Sequence, residues 1–126
     1  MQLCILCQSN NTALYYQDRN RRYCNCNSCG CVFIPHEALP GAKEEKERYL
    51  SHQNDVEDSG FQKFVSPMVN AIKAKHTTKE KGLDFGAGTG PVVSKLLEDF
   101  NYKMVLYDPF FHPNKDSLNN SYDFIV

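Results

Sequence analysis

The sequence predicts an α/β protein: a small cysteine-rich ribbon followed by the first half of a Rossmann-like parallel-sheet domain. Two observations carry this. Residues 82–90 read Gly-Leu-Asp-Phe-Gly-Ala-Gly-Thr-Gly, an apolar strand end that meets an acid and then glycines at 86, 88 and 90. At the other end, Cys4-x-x-Cys7 and Cys26-x-x-Cys29 form two thiol pairs separated by residues 8–25. The boundaries that follow are 1–36 for the ribbon, 37–60 for a helical, polar linker and 61–126 for the α/β part.

In the N-terminal part, each short cysteine pair can present both sulfurs to one tetrahedral ion about 2.3 Å away, and the interval suits a zinc site. The expected ligands are Cys4, Cys7, Cys26 and Cys29. Gly30 favours a tight knuckle after the second pair. Residues 13–17 and 22–25 suit a short hairpin, with 31–34 as a further strand, which is the outline of a zinc ribbon. Cys24 and Cys31 lie close enough to replace a neighbour, but on flanking extended segments a free cysteine behaves as a small buried hydrophobe. A disulfide framework and a redox pair are the alternatives. The confinement of six cysteines to the first quarter of the chain speaks against disulfides.

In the linker, residues 40–50 carry alternating charge and predict a solvated helix. Phe61, Phe64, Val65, Met68, Val69 and Ile72 recur at steps of three and four, which predicts a helix packing an apolar stripe on the sheet. Pro67 should bend that helix, or else Ser66 should cap a fresh start.

After residue 81 the order is strand, glycine loop, helix and strand. Val92, Val93, Leu96, Leu97 and Phe100 have helical spacing, and residues 103–107 form an apolar run that stops at Asp108. Glycines let the backbone turn sharply and let a ligand approach the main chain at a helix N-terminus. The dinucleotide fingerprint would need a glycine at Pro91, so NAD is disfavoured.

The pattern acid-x-Gly-x-Gly-x-Gly resembles the first motif of the class I S-adenosylmethionine-dependent methyltransferases. The segment Arg48-Tyr49-x-x-His52-x-Asn54 and the Tyr107-Asp108-Pro109 triplet also resemble bacterial methyltransferases that carry a zinc ribbon, so the likeness spans nearly the whole chain. The resemblance implies that Asp84, Gly86, Ala87, Gly88 and Gly90 hold S-adenosyl-L-methionine, with Asp108 accepting hydrogen bonds from the ribose hydroxyls. It also implies methyl transfer to a small-molecule acceptor that the residues do not name. Tyr49, His52 and Asn54 would form a lid, with His52 the candidate general base; no catalytic residue is assigned.

A complete domain of that family has a larger sheet. Here the strand count reaches a first, a second, a short third near Leu118 and a fourth at 122–126, as if the chain stopped within the domain. An exposed sheet edge of this kind should self-associate, or residues beyond Pro109 should be disordered. The chain has 126 residues, a formal net charge of −1 and no long apolar span, so the expected setting is cytoplasmic, without membrane contact. Arg19, Arg21 and Arg22 with Tyr15, Tyr16 and Tyr23 form a local basic and aromatic cluster. Nucleic acid is not the favoured partner at this overall charge, but a ribbon that binds RNA or protein beside a non-catalytic α/β half is the alternative function. His36, His76 and His112 are expected at the surface.

Overall fold

The computed structural model describes residues 2–52 and 55–126. Its contacts divide the chain into two compact units, residues 1–45 and 46–126. The division falls inside α1 (Ala42–Ser51), within the stretch read as linker.

The first unit is an antiparallel sheet in the order β1 (Thr12–Gln17), β2 (Arg22–Cys26), β3 (Val32–Phe33). Asp18 closes the hairpin between β1 and β2: its Oδ1 accepts from the amides of Asn20 and Arg21, both at 2.7 Å. The pairing slips between Leu14 and Tyr16, leaving Tyr15 as an extra residue on β1. Among the described residues, Cys4, Cys24, Cys26 and Phe33 form the buried cluster, with Cys31 packed against it. Such a core is too small to hold a sheet by hydrophobic burial alone.

The α1 helix starts where Gly41 donates its amide to Glu44 Oε2, at 3.1 Å. This is the return half of a capping box. Glu44 and Glu45 sit in its first turn and Arg48 in its last, which suits the helix dipole.

In the second unit, α2 (Ser59–Lys75) begins at Asp58, whose side chain accepts from the Phe61 amide at 2.9 Å. The helix runs through Pro67 without a new start. Proline lacks the amide that would satisfy the carbonyl four residues back, and Ser66 Oγ donates to that carbonyl, of Lys63, at 2.8 Å. The expected apolar stripe is narrower than the sequence suggests. Val69 and Ile72 are buried and Val65 packs on them, whereas Phe64 and Met68 are 77% and 49% exposed, because their row lies one step around the helix.

A parallel sheet follows in the order β5 (Lys103–Tyr107), β4 (Lys81–Phe85), β6 (Phe124–Ile125), with α3 (Val92–Asp99) as the crossover from β4 to β5. Val69, Ile72, Leu97, Tyr102 and Phe124 make its core. Residues 115–119 form a 3₁₀ turn rather than the expected third strand. Asn114 caps it, accepting from the Asp116 amide at 3.1 Å while its carbonyl takes the Ser117 hydroxyl at 2.6 Å. Residues beyond Pro109 are ordered through Val126: the Asp123 amide bonds Lys81 O and the Val126 amide bonds Leu83 O, each at 2.9 Å. The outer edge of β6 has no strand partner among the described residues. No helix among them is long and apolar enough to cross a membrane.

Gly82 shows how tightly β4 and β6 pack. A Cβ there would lie 2.3 Å from the Phe124 ring and 2.9 Å from Met104 Sδ. Gly82→Ala is therefore expected to cost about 1–3 kcal/mol, the usual range for overpacking, read as a lower denaturant midpoint.

Candidate functional site

Two sites emerge, one in each unit. In the first, the sulfurs of Cys4, Cys7, Cys26 and Cys29 all lie within 4.8 Å of one another. Cys4 and Cys29 are 3.6 Å apart, as are Cys7 and Cys26. A tetrahedral ion with metal–sulfur bonds of about 2.3 Å needs sulfurs about 3.8 Å apart, whereas a disulfide needs about 2.05 Å. All six cysteines are free, so the disulfide alternative fails. The cluster can hold a metal ion such as zinc, and Cys24 and Cys31 lie outside it.

The two knuckles are built alike. The amide of the residue after each pair, Gln8 or Gly30, donates to the carbonyl of the first cysteine, Cys4 or Cys26, at 3.0 and 2.8 Å. Cys4 and Cys26 in turn donate their amides to Ser9 O and Cys31 O, each at 2.9 Å. Gln8 and Gly30 both have positive φ, 60° and 75°. The sequence signals this only at Gly30. Gln8 has no such mark, since a non-glycine residue rarely adopts that conformation.

The four thiols share their protons unequally. Cys4 is lowered to about 6, chiefly by the Cys7 amide, against the opposing effect of burial. Cys29 is pushed up to about 12: the Cys31 amide pulls down, but the sulfurs of Cys7, Cys26 and Cys4 and burial together outweigh it.

The second site lies where β4 ends. Gly86 and Gly88 have φ of 89° and 66°, and no atom lies within 4 Å of a Cβ added to either. The loop is fastened to the end of β5: the amides of Gly86 and Ala87 bond Tyr107 O at 2.8 and 3.0 Å, and the Gly88 amide bonds Asp108 Oδ2 at 3.0 Å. α3 then starts with Pro91 at its N-cap and no side-chain cap.

A cavity of about 240 Å³ opens here. Its lining includes Asp84, Gly86, Ala87, Gly88 and Gly90, five of the residues singled out in the sequence. Tyr49 in the last turn of α1, His52 just after it, Phe61 and Val65 from α2, and Pro91, Val92 and Val93 at the start of α3 line the rest, with the Tyr49 and His52 rings edge to face at 6.2 Å. Asn54 lies outside the described residues. Phe61 is a lining residue that the sequence reading assigned to the core, because its periodicity matches both roles.

Asp108 is placed differently from the other candidates. It is 7% exposed and does not line the cavity. Its Oδ1 accepts from the amides of Phe110 and Phe111 at 2.8 and 3.0 Å, while Oδ2 holds Gly88. Three of its roughly four acceptor positions are thus occupied by backbone donors.

Asp84 is half-buried, and Ser94 Oγ donates to its Oδ2 at 2.7 Å. Burial raises its carboxyl above the ordinary value of 3.8 and nearby Asp108 adds to this, against the pull of the Ser94 hydroxyl and His112. A carboxyl raised in the folded state favours folding when protonated, and that contribution fades as pH climbs past 3.8 through the folded value. Asp84→Asn should therefore melt higher than the parent at pH 7, with the gap closing below pH 3.8. A thermal scan at both pH values tests this.

His36 is exposed as expected, but His76 and His112 are half-buried. The His76 ring packs on Phe124 at 4.8 Å, and His112 exchanges backbone hydrogen bonds with Asp108 at 3.0 and 3.1 Å.

Fold and sites together define a mixed α/β protein with a four-cysteine centre and a glycine-lined cavity at the end of a parallel sheet. Comparisons with protein families, curated proteins and solved structures found no match to this chain.

Proposed function

We propose that the second unit binds S-adenosyl-L-methionine and belongs to an enzyme that transfers its methyl group to a small-molecule acceptor. The observation that carries this reading is the make-up and position of the cavity. β4 is the central strand; the chain passes from it through α3 to β5 on one side and then crosses back to β6 on the other. In open parallel sheets, ligands bind at the carboxyl ends of the strands where the order reverses in this way. Asp84 and the aromatic residues Tyr49, His52 and Phe61 line the cavity, and no lysine or arginine does among the described residues. A carboxylate beside aromatic faces favours a cationic ligand. S-adenosylmethionine carries a sulfonium and an ammonium group, whereas the pyrophosphate of NAD would meet Asp84 as a like charge.

The cavity is smaller than the roughly 300–1,000 Å³ usual for a whole small-molecule site, so it suits part of the cofactor. The Rossmann-like reading of the sheet and zinc as the ion of the cysteine centre belong to the same proposal. When bound, the cofactor supplies an activated methyl group. The chain's own residues would orient it: the glycine backbone admits it closely, Asp84 faces its positive charge, and Tyr49, Phe61 and Val65 exclude water. Much of the rate in such a transfer comes from positioning.

Calorimetric titration of the metal-loaded chain with S-adenosylmethionine, S-adenosylhomocysteine and NAD tests this. Binding of the two sulfur nucleosides, but not NAD, is expected. Binding of NAD alone would sink the proposal.

A further inference from the structure

We propose that the tip and outer face of the β1–β2 hairpin form a binding surface for single-stranded nucleic acid, separate from the glycine-loop cavity and independent of its cofactor. Tyr16 and Tyr23 are directly paired across the hairpin, with ring centroids 6.1 Å apart. Residues opposite one another share a face of the sheet. Cys24, the next residue along β2, belongs to the buried cluster, so the tyrosine pair lies on the side away from that core. Tyr16 is 57% exposed, and Tyr15, the extra residue of the bulge, is 65% exposed, while Tyr23 is half-buried against Tyr16.

These rings do not complete any hydrophobic cluster of the unit. Aromatic faces left open in this way are platforms on which bases stack, whatever their sequence.

The charge at the tip selects a polyanion. Between residues 2 and 38 there are three arginines, Arg19, Arg21 and Arg22, against two acids, Asp18 and Glu37, and Glu37 Oε1 accepts from Gln2 Nε2. All three arginines are exposed, and no ion pair within 4.0 Å holds any of them among the described residues. The Asp18 carboxylate is turned to the backbone instead, where its two bonds to Asn20 and Arg21 fix the shape of the tip. A turn held in this way presents its guanidinium groups at little ordering cost. Arg19 and Arg21 lie within a few residues of Tyr16 and Tyr23, a span on the order of 10 Å along the strands. Arg22, paired with Gln17, lines a cleft of about 340 Å³ that runs from the tip to Pro35, Glu37 and Ala38, so phosphates are expected at its arginine end, away from Glu37. A flexible strand crossing the hairpin can thus stack on the tyrosines while its phosphates meet the tip. A rigid duplex buries its base faces and gives the tyrosines nothing to stack on.

The net charge of the whole chain, −1, gives no general attraction to polyanions, so affinity should depend on this local patch. The test is fluorescence anisotropy of labelled oligouridylate with the zinc-loaded full chain, against an abasic oligonucleotide of equal length and a duplex. Contacts to two or three phosphates predict a slope of log K against log salt between about −1.4 and −2. Oligouridylate should bind at least about fivefold more tightly than the abasic strand, and Tyr16→Ala should weaken it by roughly 5- to 150-fold. Tyr16→Phe should keep the affinity. Equal binding of oligouridylate and the abasic strand would overturn the proposal without relying on any variant. Absence of binding at low salt, with zinc content verified, would also overturn it and leave the surface to a protein partner.

Discussion

Stripping the metal with a chelator, or replacing Cys26 with serine, is expected to unfold residues 2–36 while amides of α2, β4 and β5 keep their protection from hydrogen exchange. The two units have separate buried clusters, and the first is made of three cysteines and one phenylalanine. Structural zinc contributes about 10–16 kcal/mol to small metal domains, as much as the whole stability of an ordinary domain, about 5–15 kcal/mol. Nothing else in residues 2–36 approaches this. A free thiol ionises only at about pH 8.5, and the crowding of sulfurs around Cys29 raises it further, so an ion must displace protons to be held. Metal uptake should therefore release protons and weaken with acid. Hydrogen exchange before and after chelation decides the matter. Unchanged protection at β1 and β2 would mean that the ribbon stands without metal.

The features legible in the sequence are those whose physics is local. A Cys-x-x-Cys pair fixes its own knuckle, and an acid followed by alternate glycines fixes a strand end and a turn. Both appear at the expected positions in the structure. What was not legible depends on choices between near-equal local options. Residues 115–119 have the apolar Leu118 of a short strand, yet the Asn114 side chain captures the Asp116 amide and commits the segment to a turn. Phe61, Phe64 and Met68 share the helical period of Val65, Val69 and Ile72, and periodicity alone cannot say which row meets the sheet and which faces a cavity or solvent. The resemblance points to Tyr49 and His52, and only the fold places both in the lining of the cavity beside the glycines. For Asp108 the resemblance implies a ribose contact. The backbone donors that occupy it come from residues 88, 110 and 111, a convergence that no spacing rule encodes.

Asp108 also carries the second large effect. Asp108→Ala should leave the amides of Gly88, Phe110 and Phe111 without their acceptor. A buried donor left unsatisfied costs about 1–3 kcal/mol, so three of them consume much of the stability of a unit this size, and the variant should melt far below the parent or fail to fold. Asp108→Asn separates brace from ligand. Its remaining oxygen can keep Phe110 and Phe111 while its amino group faces the Gly88 amide, donor against donor, so only the glycine loop is released. Loss of one charge-assisted bond is worth about 1.5–3 kcal/mol. If S-adenosylmethionine needs both the loop held and a carboxylate behind it, affinity should fall by roughly 10- to 150-fold with the helices intact by circular dichroism. If instead the Asn variant binds like the parent, Asp108 is a brace alone, and the ribose hydroxyls must find their acceptor elsewhere in the lining of the cavity, where Asp84 is the one carboxylate among the described residues.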